Sequence, residues 1–184
     1  MNFPEISNTL LGYFGKETWI VQVFIVVFIT AVINWVQKRV LAKLVVKLQR
    51  TRTYWDDALF DAARKPIYFL IWIIGLTFAA DIVRTETDEA IFEAVEPIRE
   101  VGVIVVICWF LVRFIGRAER NIVEKKQVAG EDFDQTTADA IAKLLRISVI
   151  ITATLVAMQT LGYSISGVLA FGGIGGIAVG FAAR

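Results

Sequence analysis

The chain has no histidine among its 184 residues and a single cysteine, Cys108. Without imidazole or a second thiol, neither a disulfide framework nor a Cys/His metal site is available, and the commonest catalytic base is missing. The acidic residues fall mainly between apolar runs, and none stands beside a plausible nucleophile. Ser164 and Ser166 sit at a helix start, where capping is their use. The sequence therefore points to no enzyme and calls for no cofactor. Charge of one sign is also scarce, the formal net value being only +1, which excludes the broad basic face of a nucleic-acid binder. Residues Met1 to Lys16 lack the basic start, apolar stretch and small-residue cleavage site of a signal peptide. The first long apolar run is thus expected to be a retained anchor.

Apolar residues are what the chain does have. They make up 57% of it, with a mean hydropathy of +0.64, against roughly 45–50% in soluble domains. Several runs approach the roughly 20 residues that cross a bilayer. Five spans follow: Trp19–Val36, Ile67–Val83 after Pro66, Pro97–Gly116, Leu144–Leu161 and Ile165–Ala183. The fold class is an all-α integral membrane protein of about five transmembrane helices. Arg99 and Arg113, near the ends of the third span, are placed to snorkel to headgroups.

Positive charge between spans sets sidedness. Residues Gln37 to Lys65 carry eight Lys and Arg against Asp56, Asp57 and Asp61, whereas Asp81 to Glu96 has Arg84 against six acids. Basic residues dominate again from Arg113 to Arg146. This alternation predicts an N-terminus outside and Arg184 in the cytoplasm. Past the first span, Val40, Leu41, Leu44, Val45 and Leu48 recur at helical spacing, while Arg39, Lys43, Lys47 and Arg50 take another face. That basic face either meets anionic lipid or serves only as a positive-inside signal. Thr53 to Lys65 has the order of cap, acids and bases of a short cytoplasmic helix. Asp134 or Thr136 is expected to cap the fourth helix, which then starts below the membrane.

Leu161 to Ser164 leave almost no loop before the last span, so a tight antiparallel hairpin is expected. Gly162 suits the end of one helix, and Ser164 or Ser166 the cap of the next. The second arm is SGVLAFGGIGGIAVGFAAR. At about 100° per residue, Gly172, Gly173, Gly176 and Gly180 form one flank with Ala183 close by, and Gly175, Ala178 and Ala182 form another. Between them lie Ala170, Ile174, Ile177 and Phe181. Small residues let backbones approach, and two unlike flanks make a head-to-tail contact that closes into a ring. The stripe then lines a pore, with Ile177 and Phe181 as an apolar gate that stops ions by dewetting. The same GxxxG-type spacing is also compatible with simple dimer or intrachain packing. A secondary transporter or a non-conducting membrane scaffold are the other functional readings. A transporter would usually show intramembrane charged groups and a broken helix near the midplane in repeated halves, and neither is evident. Asn34, Thr77, Thr152 and Thr154 are polar, yet hydroxyls bonding their own helix backbone explain such residues more often than substrate contacts do.

DQTTADAIAKLLR followed by LGYSISGVLAFGGIGGIAVGFAAR resembles the small-conductance mechanosensitive channel (MscS-like) family over Asp134 to Arg184, and TYWDDALFDAARKP resembles the linker of members with extra N-terminal spans. The resemblance implies a homo-oligomer, typically a heptamer, in a bacterial inner membrane. It would open under bilayer tension to release ions and small solutes on hypo-osmotic shock. Ile177 and Phe181 match the two gate positions, often leucines in the family. The expected organisation is an extracytoplasmic segment 1–18, outer helices with cytoplasmic linkers over 19–133, and the fourth and pore-lining helices over 134–184. The C-terminal vestibule of the family is absent from this sequence.

Overall fold

Long apolar stretches leave the backbone only one way to satisfy its polar groups in lipid, and every regular element among the described residues is helical. The computed structural model describes residues 18–48, 54–87, 90–128 and 134–183. Helix α1 is Thr18–Leu48, α2 Tyr54–Thr87, α3 Val95–Val128, α4 Gln135–Thr160 and α5 Ser166–Ala182, with a 3₁₀ segment at Ala90–Ala94. Four of these contain stretches long and apolar enough to cross a membrane: Thr18–Leu41, Ala58–Thr85, Phe92–Glu124 and Gln135–Thr160. The fifth, α5, is apolar but shorter, its 17 residues spanning about 25 Å. Segment 1–17 and Arg184 lie outside the described residues.

Each of the first four helices packs on its sequence neighbours, α1 on α2, α2 on α3 and α3 on α4. Small residues make the approach possible. A Cβ on Gly75 of α2 would overlap the Thr30 side chain of α1, and one on Gly102 of α3 would lie 3.2 Å from Ile73 of α2. Ala58, Ala62, Ala63 and Ala79 on α2, Ala118 on α3 and Ala142 on α4 are buried. Hydrogen bonds and rings fix the registers. Asn34 donates to the Tyr68 carbonyl across α1 and α2 at 3.4 Å, and Phe69 meets Trp109 edge-on at 5.5 Å between α2 and α3. Thr77 and Thr154 donate to the carbonyls of Ile73 and Ile150 in their own helices, as hydroxyls in membrane helices are expected to do.

Three local expectations are corrected. The stretch ending at Lys65 is not a separate short helix: α2 runs without interruption through Pro66. The proline removes one amide donor, yet it is fully buried beside Ala62 and Ala63, and packing holds the helix across it. The polar stretch after Asp81 is largely helical rather than a loop. Thr85 and Thr87 hydroxyls bond back to the Asp81 and Val83 carbonyls, and Asp81 pairs with Arg99 at the start of α3. Finally, neither Ser164 nor Ser166 caps α5. Its N-cap is Ile165, whose backbone is already α-helical at φ −84°, ψ −5° and offers no side-chain cap, while the two serine hydroxyls face each other at 3.3 Å.

Candidate functional site

Asp134 starts α4 as the sequence suggests, its Oδ1 accepting from the Thr136 and Thr137 amides at 3.0 and 3.2 Å. The Thr137 hydroxyl donates to Oδ2 at 2.5 Å. That bond, with the amides behind it, holds the Asp134 carboxyl below its ordinary pKa. At the other end of α4, Gly162 takes φ +84°. The Gly162 amide bonds to the Gln159 carbonyl at 2.9 Å and the Tyr163 amide to the Met158 carbonyl at 3.0 Å, a paired closure that satisfies the last turn. Three residues later α5 begins.

The expected antiparallel hairpin does not form within one chain. Helix α5 packs on no other described element, α4 included. Ala170, Ile174, Ile177 and Phe181 are all exposed, the last three at 69, 62 and 74%. A Cβ placed on Gly172, Gly173, Gly175, Gly176 or Gly180 would meet nothing within 4 Å. Ala178, Ala182 and Ala183 are exposed too. Small flanks permit a close contact, but the turn at Gly162 does not fold α5 back against α4, so the helix makes none with the other described elements. Its close-approach surfaces are left open.

On the basic face of α1, Arg39 is exposed and its guanidinium lies 3.9 Å from the Trp35 ring centroid. Arg50 and the side chains of Lys43 and Lys47 fall outside the described residues. Among the described residues no cluster of three or more His, Cys, Asp or Glu side chains comes together.

Sequence reasoning missed the ion pairs that join the helices. Arg99 of α3 pairs with Asp81 of α2, Arg117 of α3 with Asp61 of α2 at 2.6 Å, and Arg146 of α4 with Glu119 of α3. Arg99 is thus held by a carboxylate on the next helix rather than acting only as a headgroup anchor. Opposite charges at matching depths of successive spans were the available signal, since an intramembrane charge needs a partner.

Residues 143–184 match the family described as mechanosensitive ion channel, transmembrane helices 2/3, a match that covers the C-terminal part of α4, the Gly162 turn and α5. An uncharacterized MscS family protein of Aquifex aeolicus is 27% identical over 153 residues, or 80% of this chain. The family match and the relative together support an MscS-like assignment for the chain. The low conductance mechanosensitive channel YnaI of Escherichia coli is 31% identical over 122 residues, 64% of this chain. The matches span 40% and 34% of those two relatives' own lengths. No solved structure matches the chain. The family match includes α5, the helix that packs on no other element among the described residues.

Proposed function

We propose that this chain forms the membrane part of a homo-oligomeric ion channel that opens when bilayer tension rises. One observation carries the reading: α5 turns glycine flanks and an apolar stripe outward with no other described element against them. In a ring, the flank of Gly172, Gly173, Gly176 and Gly180 receives the flank of Gly175, Ala178 and Ala182 from the next copy. Ala170, Ile174, Ile177 and Phe181 then face the axis. A heptamer is the stoichiometry the family resemblance favours. Charge alternation between the spans supports an N-terminus outside the bacterial inner membrane and a cytoplasmic C-terminus. The basic face of Arg39, Lys43, Lys47 and Arg50 would rest on anionic lipid.

Tension acts because an expanded pore occupies more membrane area, so stretching the bilayer favours the wider state by a differential free energy. Ile177 and Phe181, one helical turn apart, form the dry constriction that closes the pore. Ions and small solutes leave the cell when it widens under hypo-osmotic shock. Replacing Ile177 or Phe181 by serine wets the constriction, and the expected result in patch recordings of the full-length protein is opening at lower tension. Unchanged thresholds in both variants would remove these residues as the gate.

A further inference from the structure

Helices α2 and α3 run antiparallel, and two contacts fix their register. Asp61 of α2 pairs with Arg117 of α3, and Phe69 of α2 meets Trp109 of α3. Four residues make about one helical turn, so the rung midway between these contacts sets Lys65 of α2 opposite Arg113 of α3. Two cations face each other where the rungs on either side hold an ion pair and a ring pair. Both lie inside the apolar stretches Ala58–Thr85 and Phe92–Glu124. Among the described residues neither takes part in an ion pair. Lys65 is exposed and Arg113 partly buried, and the Arg113 Nε is shut off from solvent with no hydrogen-bond partner. The nearby carboxylates are already engaged, Asp61 by Arg117 and Glu119 by Arg146. Asp81, the next acid towards the other end of α2, is held by Arg99. A like-charged pair in an apolar setting is costly, and an intramembrane cation calls for a counter-charge. That charge has to come from outside these helices.

We propose that Lys65 and Arg113 clamp the phosphate of a membrane phospholipid. The order of chemistry along the α2–α3 seam matches such a molecule. One turn to one side, the partly exposed Asp61–Arg117 pair gives a polar surface for the rest of the headgroup. One turn to the other, Phe69 and Trp109 are both exposed and offer rings to the glycerol and the first acyl carbons, as aromatics do at membrane interfaces. A guanidinium presents paired donors to phosphate oxygens, and the lysine adds a point charge from the facing helix. A free inorganic phosphate would use the two cations and leave the rings idle, so a diacyl phosphate is the ligand the seam fits. The site belongs to α2 and α3, not to α5 or to the basic face of α1, and it does not depend on whether the pore conducts.

Native mass spectrometry of the delipidated full-length protein in detergent tests the clamp, with phosphatidylglycerol, diacylglycerol or inorganic phosphate added back. Wild-type protein should bind phosphatidylglycerol in preference to diacylglycerol, which has the same tails and no phosphate. Lys65→Gln and Arg113→Gln should each weaken phosphatidylglycerol binding about fivefold, the usual contribution of one cation close to anionic lipid. Arg113→Lys, which keeps the charge and loses the planar donors, should lose less. Arg64→Gln removes an equal charge from the adjacent exposed position and should leave binding unchanged. Thermal unfolding separates a ligand site from a structural role. Without added lipid, Arg113→Gln should unfold at or above the wild-type temperature, because it removes an uncompensated cation. Phosphatidylglycerol should then raise the wild-type midpoint more than that of the variant. Unchanged binding in both Gln variants, or an equal loss in Arg64→Gln, would leave only diffuse surface charge and overturn the clamp. Inorganic phosphate that raises the wild-type midpoint as far as phosphatidylglycerol does would overturn the lipid as its source. Arg113→Gln unfolding below wild type in lipid-free detergent would mean that the guanidinium serves the fold instead.

Discussion

Asp134 shows how much a single side chain settles at a helix start. Its carboxylate caps two amides and takes a third bond from Thr137, so its pKa is held below the ordinary carboxylate value. A depressed folded-state value means that the stabilisation is complete above the normal carboxylate pKa and is lost as pH falls through the lowered one. Amide exchange at Thr136 and Thr137 should therefore quicken only in strong acid. Asp134→Ala should quicken it at neutral pH, whereas Asp134→Asn should change it little. Gly75 decides a different kind of contact. Since Thr30 fills the space where a methyl would go, Gly75→Ala is expected to lower unfolding stability in detergent by about 1–3 kcal/mol through overpacking, and Thr30→Gly in the same chain should recover most of it. The capping role of Asp134 was legible in the sequence because the bonds are local. The Gly75 contact was not, because the residue that forbids a side chain there is 45 positions away and on another helix.

Helix ends were easier to read than helix interiors. Gly162 was recognisable as the close of α4, and its φ of +84° is a conformation that costs a residue with a Cβ roughly 1–2 kcal/mol. Gly162→Ala should lower the thermal midpoint of the protein, with Gly162→Asn losing less, because asparagine tolerates this region better. Pro66 was read as a boundary and proved to be an interior position. Local propensity favours a break there, but the long-range packing of Ala62, Ala63 and Pro66 in the α2 interface overrides it. The serines before α5 failed for a related reason. Capping chemistry was present at Ser164 and Ser166, but the helix begins from Ile165 in a backbone conformation that leaves no place for a side-chain cap. The interhelical ion pairs lie beyond any local pattern, because Asp61 and Arg117 are brought together only by the antiparallel course of α2 and α3.

At the scale of the molecule, α5 separates folding from assembly. A Cβ on its glycines would meet nothing within 4 Å among the described residues, so substitutions there should spare the fold of the single chain and act on the proposed association. Gly176→Leu is expected to leave helix content by circular dichroism unchanged while lowering the oligomer mass measured in a mild lipid mimetic. An unaltered mass would argue that this flank is not a subunit contact. The stripe of Ile174, Ile177 and Phe181 was visible in the periodicity alone. What the periodicity did not reveal was that α5 would stand clear of α4, since adjacency in sequence suggested a packed pair and the course of the chain through the Gly162 turn is not written in the helix pattern.

Among the described residues the first four helices touch only their immediate neighbours in the helix order, like planks in a fence. Such an arrangement has no shared central core that every plank must help to build, so α1 can be lost, or further helices added before it, at the cost of a single boundary. Removing α1 would break its contact with α2 and leave the packing of α2 on α3 and of α3 on α4 in place.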